Sequence, residues 1–166
     1  MTTFDQRFID MMVPHHLSAV EMAKIAADRA EHPEIKALAA EIISAQETEI
    51  AQMRAWRKDW FGSDQTPPMD SVPMLPGREM EGDSMGGMEV GGTMDMTTDV
   101  EILRSAQPFD KAFLEAMIPH HESAITAAKL AQQRATQAEI KDLAAAIMGA
   151  QEAEIAQMRG WLAAWY

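Results

Sequence analysis

The sequence predicts an all-α fold: a four-helix bundle built from two tandem helical hairpins, joined by a long methionine-rich crossover. Residues 4–61 align with residues 109–166 without a gap, and 32 of the 58 aligned positions are identical. Within each copy, apolar residues recur at steps of three and four, which is the period of an amphipathic helix. One hairpin cannot bury its apolar stripe alone, whereas two copies packed together can. We therefore expect a single domain over residues 1–166.

The first hairpin is predicted from residues 4–61. Its first helix spans residues 4–30 and contains Pro14, so a kink in one continuous helix is expected; two short helices broken at Pro14 are the alternative. The second helix spans residues 33–61. Pro33 suits its first position, because the missing N–H would be unpaired there in any case.

The crossover, residues 62–108, differs in composition from both hairpins. It is rich in glycine, proline and acidic residues, and no apolar period survives in it, which indicates a largely irregular segment. A short helix is expected at residues 98–105. One long crossover between two helical hairpins is typical of the ferritin-like arrangement. The segment holds seven of the 15 methionines of the chain: Met69, Met74, Met80, Met85, Met88, Met94 and Met96.

The second hairpin is predicted as helices over residues 108–135 and 137–165. Thr136 and Glu139 have the spacing of a capping box, in which each side chain satisfies a free amide at the start of the helix. Aromatic residues are expected to fill the far end of the bundle: Phe4, Phe8, Trp56, Trp60, Phe109, Phe113, Trp161 and Trp165.

Charge and composition exclude several classes of partner. The chain has 26 acidic against 14 basic residues, a formal net charge of −12. Such a charge disfavours nucleic acid and anionic membrane surfaces and is compatible with a cation as ligand. No run of about 18 apolar residues occurs, so no membrane insertion is expected. Cysteine is absent, so any metal site must use imidazole, thioether, carboxylate or amide groups.

Two polar residues interrupt the apolar stripe of the second helix. Gln46 and Glu49 lie within roughly 40° of the stripe centre at about 100° of rotation per residue, and Gln151 and Glu154 repeat them in the second copy. Burying a carboxylate without a partner is costly, so Glu49 needs a hydrogen bond, a counter-charge or a ligand.

The turn of the first hairpin sets which residues face each other. If it is centred between residues 32 and 33, facing residues have numbers that sum to about 65. His16 then lies level with Glu49, and Met12 lies level with Met53. The polar residues of the second helix therefore meet the motif Met-x-Pro-His-His, which occupies residues 12–16 and returns at residues 117–121.

This convergence of side chains leaves two interpretations open. In one, histidine and glutamate pair in a buried polar layer without a metal. In the other, the set binds a metal, and thioether with imidazole selects copper, Cu(I) above all, with silver following for the same reason. His16 and His121 lie nearer the stripe centre than His15 and His120, so they are the better ligand candidates. The complete candidate set is Met12, His15, His16, Gln46, Glu49, Met53, Met117, His120, His121, Gln151, Glu154 and Met158.

The crossover methionines provide a second indication of a soft metal. Methionine is normally a core residue, and a segment that cannot form a core has no packing use for seven of them. Spaced thioethers on a flexible acidic strand suit the capture of Cu(I) or Ag(I).

Residues 109–121, with Ala124 and Lys129 after them, resemble the signature of the ferritin-like "domain of unknown function 305" family, and residues 4–16 repeat it. The resemblance implies a four-helix bundle, usually exported to the periplasm or cell surface of bacteria. For some members it also implies copper binding and copper resistance. The N-terminus shows no signal-peptide pattern, so either an export segment has been removed or the protein is cytoplasmic. Carried over by position, the family's metal candidates are Met12, His15, His16, Met117, His120 and His121.

Three functions compete. The favoured one is a copper-binding protein that buffers or carries the ion outside the cytoplasm and exchanges it with a donor or acceptor protein. A di-iron enzyme would need Glu-x-x-His on two helices, and the chain contains no such motif. A metal-free structural module is the third. No catalytic constellation is found, so enzyme activity is not expected, and the oligomeric state is left open.

Overall fold

The structure, a computed structural model, describes residues 2–75 and 93–166. Within these residues it contains two long helical hairpins, a short α-helix, one 3₁₀ turn (Met69–Ser71) and two short antiparallel strands. The helices and strands are α1 (Phe4–Arg29), α2 (Pro33–Phe61), β1 (Val72–Pro73), β2 (Thr93–Met94), α3 (Thr98–Leu103), α4 (Phe109–Arg134) and α5 (Ala138–Trp165).

The two hairpins form the predicted ferritin-like four-helix bundle. In each hairpin, the two long helices pack along their length, and the hairpins meet mainly through α1 and α4. These two helices run antiparallel, since Asp5 at the start of α1 contacts Thr136 after the end of α4. Among the described residues, none of the helices combines the length and the hydropathy that a membrane span requires.

Both internal prolines lie within uninterrupted helices. Pro14 lies inside α1 and Pro119 inside α4, so the prediction of one continuous helix is confirmed and the alternative of a break at Pro14 is wrong. A proline removes one backbone hydrogen bond and crowds the preceding turn. Buried residues on both sides of Pro14, from Phe8 to Ala26, supply the packing that carries the helix through it.

The apolar core is divided into two clusters of buried side chains. The first core cluster combines the N-terminal half of α1 and the C-terminal half of α2 with the C-terminal half of α4 and the N-terminal half of α5. The second core cluster combines the C-terminal half of α1 and the N-terminal half of α2 with the N-terminal half of α4 and the C-terminal half of α5. The prediction that the aromatic residues fill one end together is wrong. Because α1 and α4 run antiparallel, they pack in two groups at opposite ends: Phe4, Phe8, Trp56 and Trp60 in the first cluster, and Phe109, Phe113, Trp161 and Trp165 in the second.

Each repeat caps the interhelical turn of the other. The Asp5 carboxylate accepts hydrogen bonds from the backbone amides of Thr136 and Gln137 at 2.8–3.2 Å. Asp110 accepts the equivalent bonds from the amides of Glu31 and His32 at 2.9–3.2 Å. Both carboxylates are buried, so these charge-assisted bonds lie in a poorly solvated place, where they are strong.

The capping box predicted at Thr136 is wrong. α5 begins at Ala138, and its N-terminus has no side-chain cap of its own. The Thr136 hydroxyl donates instead to Asp5, at 2.9 Å. A carboxylate is a better acceptor for these amides than a hydroxyl. Asp5 of the first hairpin therefore caps this turn in place of the local cap that the sequence predicts.

The described parts of the crossover pack against the bundle. β1 pairs with β2, placing Val72 opposite Met94, and Val72 and Leu75 are buried in the first core cluster. The expectation that the crossover methionines have no packing use is wrong for Met94 and Met96, which pack partly buried on the same cluster. The predicted short helix is present as α3, which ends at Leu103. Met80, Met85 and Met88 lie outside the described residues.

Replacing Asp110 by Asn should destabilise the protein by about 1–3 kcal/mol, because the charge-assisted bonds between this buried carboxylate and the amides of the turn are lost. Burial alone would raise the pKa of Asp110, but the bonds from Glu31 and His32 outweigh it and lower the pKa below 3.8. The stability that the ionised Asp110 carboxylate contributes is therefore complete above pH 3.8. It is lost as the pH falls through the lower pKa that Asp110 has in the folded state.

Urea unfolding of the apoprotein at neutral pH and at pH 3 measures this effect. Asp28, which is exposed on α1, provides the control Asp28→Asn, which should leave stability within about 0.5 kcal/mol of the parent. Equal stabilities of the Asp110→Asn variant and the parent at neutral pH would contradict the capping role.

Candidate metal centre

Two histidine rings meet at the centre of the bundle, where α1 crosses α4. The ring centroids of His15 and His120 are 3.8 Å apart. The Ser18 hydroxyl lies 2.7 Å from Nε2 of His120 and donates its proton to the His15 carbonyl oxygen. The Ser123 hydroxyl makes the matching contacts, 2.8 Å from Nε2 of His15 and donating to the His120 carbonyl oxygen.

These contacts fix the tautomer of His120. A serine hydroxyl has one proton to donate, and the proton of Ser18 goes to a carbonyl oxygen. The Nε2 atom of His120 must therefore carry the hydrogen and donate to Ser18. Its Nδ1 atom is left as an unprotonated nitrogen with a lone pair, which is the state that a metal ligand requires.

The environment also keeps His120 uncharged. Burial, reinforced by the nearby His121 and His16, lowers the pKa of His120 to about 3. The ring is neutral at physiological pH, so its lone pair is not lost to a proton.

The other histidine of each motif faces the glutamate of its own hairpin. Nε2 of His16 lies 3.7 Å from Oε1 of Glu49, and Nε2 of His121 lies 2.8 Å from Oε2 of Glu154. Both histidine side chains are fully buried, whereas the two carboxylates retain 18% and 16% exposure. The prediction that His16 lies level with Glu49 is therefore confirmed, and the glutamates connect the buried layer to the surface.

Several polar atoms of this layer are buried in the described structure without a hydrogen bond there. Such atoms are rare in folded proteins, and each one suggests a missing partner such as a ligand, an ion or water. They belong to residues of the predicted set: both ring nitrogens of His16, Oε1 of Gln46, Oε2 of Glu49, Nδ1 of His120, Nδ1 of His121 and Oε1 of Gln151.

The methionines of the set lie on two sides of this layer. Met12 and Met53 are fully buried in the first core cluster, while Met117 and Met158 are fully buried in the second. The structure thus divides the predicted residues into two half-sites, with the His15–His120 contact between them. We use "first half-site" for Met12, His16, Gln46, Glu49 and Met53, and "second half-site" for Met117, His121, Gln151, Glu154 and Met158.

The donor atoms fit a soft metal ion better than a hard one. Within residues 2–75 and 93–166, no group of three His, Asp or Glu side chains is arranged to hold a metal by itself. By residue type, each half-site contains one imidazole, one carboxylate, one amide and two thioethers. Imidazole and thioether are ligands that Cu(I) accepts.

Ser18 and Ser123 are the residues of this layer that the sequence analysis missed. Both follow a histidine by three positions, so they share its helix face, and both occur at the same place in the two repeats. A serine repeated within an alanine-rich buried stripe was the available signal. It did not reveal the partner, which lies on the other hairpin.

Fold and site together define a ferritin-like four-helix bundle with a buried histidine layer flanked by methionine. A family model described as "Domain of unknown function (DUF305)" matches residues 5–166. The chain therefore belongs to the DUF305 family, as its repeated motif indicated.

Solved structures of similar chains share this fold. CopM in its Cu(I)-bound form is 37% identical, with a TM-score of 0.75 over 100% of this chain and 99% of CopM. CopM in its Cu(II)-bound form is 38% identical, with a TM-score of 0.76 over the same shares. A presumed secreted DUF305 protein from Streptomyces coelicolor is 27% identical, with a TM-score of 0.74 over 97% of this chain and 91% of its own.

One curated relative matches a shorter stretch. The uncharacterized protein L153 of Acanthamoeba polyphaga mimivirus is 39% identical over 51 residues, which is 31% of this chain and 34% of the relative. The match thus spans about a third of that protein's length.

Replacing Ser18 by Ala should destabilise the apoprotein by about 1–3 kcal/mol, because the buried Nε2–H of His120 and the His15 carbonyl lose a partner. Chemical denaturation of the metal-free protein measures the change. The loss of stability should be smaller for Ser123→Ala, since Ser123 is partly exposed and water can take the place of its hydroxyl group. Ser44→Ala on the exposed face of α2 is the control. A Ser18→Ala variant as stable as that control would contradict the hydrogen-bonded link between the hairpins.

Proposed function

We propose that this protein binds copper, preferentially as Cu(I) and with Ag(I) as surrogate, and that it buffers or carries the ion outside the cytoplasm. The observation that carries the proposal is the set of buried nitrogen and oxygen atoms that make no hydrogen bond in the described structure. They occur in the residues that the buried methionines flank. A bound ion would supply the partner that these atoms lack.

In each half-site, soft and borderline ligands would hold the ion. His16 would supply an imidazole nitrogen, Met12 and Met53 thioether sulfur, and Glu49 a carboxylate that offsets the charge of the ion. Gln46 would supply an amide oxygen or orient a neighbouring ligand. The second half-site would use Met117, His121, Gln151, Glu154 and Met158 in the same roles, with His15 and His120 as ligands or orienting groups between the two.

The relatives support this assignment by analogy. CopM, which is similar over its whole length, has been solved in Cu(I)-bound, Cu(II)-bound and silver-bound forms. The similarity to a presumed secreted protein supports a location outside the cytoplasm, and the family resemblance favours the periplasm. A carrier of Cu(I) must also exchange the ion, so we expect a donor or acceptor protein as partner.

A metal-free structural layer is the second candidate. The 2.8 Å contact between His121 and Glu154 favours it, because a histidine–glutamate pair can satisfy itself without an ion. A di-iron enzyme is not favoured, since the chain has no Glu-x-x-His motif.

Under reducing conditions the protein should take up Cu(I) in competition with a chromophoric Cu(I) chelator, and Ag(I) should displace the bound ion. Replacing His16 and His121 together by Ala should weaken binding by at least about tenfold, the scale seen when groups around a metal are removed. The chelator competition, read as absorbance, gives the affinity directly.

His32 offers the matched control. It lies at the end of the bundle, 3.6 Å from the ring of Trp165 and bonded to Asp110, away from the histidine layer. His32→Ala should keep the Cu(I) affinity of the parent. No uptake of Cu(I) by the folded parent protein would leave the metal-free layer as the better assignment.

A further inference from the structure

Two crossover methionines point toward the bundle. Met94 is paired with Val72 across the two short strands, so their side chains share one face. Val72 is fully buried in the first core cluster, and Met94 and Met96 pack on that cluster, while Asp95 between them is exposed. This alternation places both thioethers on the face that meets the helices.

The strand is held in this position by backbone contacts. The amide of Met96 donates to the carbonyl oxygen of Met69 at 2.7 Å, and Val72 and Leu75 anchor the other strand in the core. The thioethers of Met94 and Met96 therefore lie on a chain segment that is held against the bundle.

The cluster that they join contains Met12 and Met53 of the first half-site. This cluster thus holds the methionines of the first half-site together with both crossover methionines. Its methionines among the described residues are Met11, Met12 and Met53, with Met94, Met96 and Met148 packed partly buried against it. At the other end, the crossover contributes Val100 and Leu103 of α3 to the cluster around Met117 and Met158. The two ends therefore differ in sulfur content, although the two half-sites have the same residues.

We propose that Met94 and Met96 supply additional thioether ligands to an ion at the first half-site, which makes this half-site the tighter one for Cu(I) and Ag(I). The proposal rests on the proposed function. Added thioethers favour a soft monovalent ion over Cu(II) or zinc, so the crossover would also make the first half-site the more selective. The ion would fill the first half-site before the second.

Silver titration of the full chain, labelled with ¹³C at the methionine methyl groups, tests the order of filling. Each methyl resonance is assigned by a single Met→Leu variant. Below one equivalent of Ag(I), the resonances of Met12, Met53, Met94 and Met96 should shift, and those of Met117 and Met158 should follow only at higher ratios.

The double variant Met94→Leu/Met96→Leu keeps apolar volume at the strand and removes both sulfurs. It should weaken the first half-site by about tenfold or more, so that both half-sites fill together. Met22→Leu, a fully buried methionine of the second core cluster outside the half-sites, should preserve the parent order of filling.

The outcomes separate the two proposals. If Met12, Met53, Met117 and Met158 shift while Met94 and Met96 do not, the crossover thioethers serve packing alone and the inference is wrong, but the proposed function stands. Parallel filling of both ends in the parent chain would also overturn the inference. If no methionine resonance shifts, the proposed function fails as well. The parent titration decides between these results even if the double variant does not fold.

Discussion

The antiparallel contact between α1 and α4 is the constraint on which the rest of the bundle depends. It is fixed at three heights: Asp5 binds the amides of the second turn, Asp110 binds those of the first, and the His15–His120 rings meet between them. Each aspartate reaches a turn of the other repeat, so sliding one hairpin along the other would break both caps at once. This register sets which faces of the two histidine motifs meet at the centre.

Placing a polar layer at that centre works against the stability of the bundle. Each buried polar atom without a partner costs about 1–3 kcal/mol, against a net stability of about 5–15 kcal/mol for a typical domain. The apolar clusters on either side must offset this cost. A ligand that binds only the folded state returns stability by mass action. A layer that is expensive when empty and stabilised when filled is what an ion-binding site would require, whereas apolar packing would serve a purely structural bundle better.

The sequence was sufficient for features that arise within one hairpin. The turn at residue 33 and the helical period together fix which residues face each other, so the His16–Glu49 contact could be predicted. Contacts between hairpins could not, because they depend on how α1 and α4 rotate against each other. Asp5, Ser18 and their repeat equivalents were missed for that reason, and the capping box at Thr136 was mistaken because Asp5 competes for the same amides. The packing of Met94 depends on strands of two residues, too short for a periodic pattern.

Internal duplication explains why the crossover carries the difference between the two ends. The predicted ligands are identical in both repeats, from Met12 and Met117 to Met53 and Met158. Any difference between the half-sites must therefore come from their surroundings, as the unequal His–Glu distances of 3.7 and 2.8 Å already indicate. The crossover has no copy elsewhere in the chain, and it covers one end with a strand pair and the other with α3. A segment that occurs once, packed against a structure built from two similar repeats, therefore gives the two half-sites different surroundings.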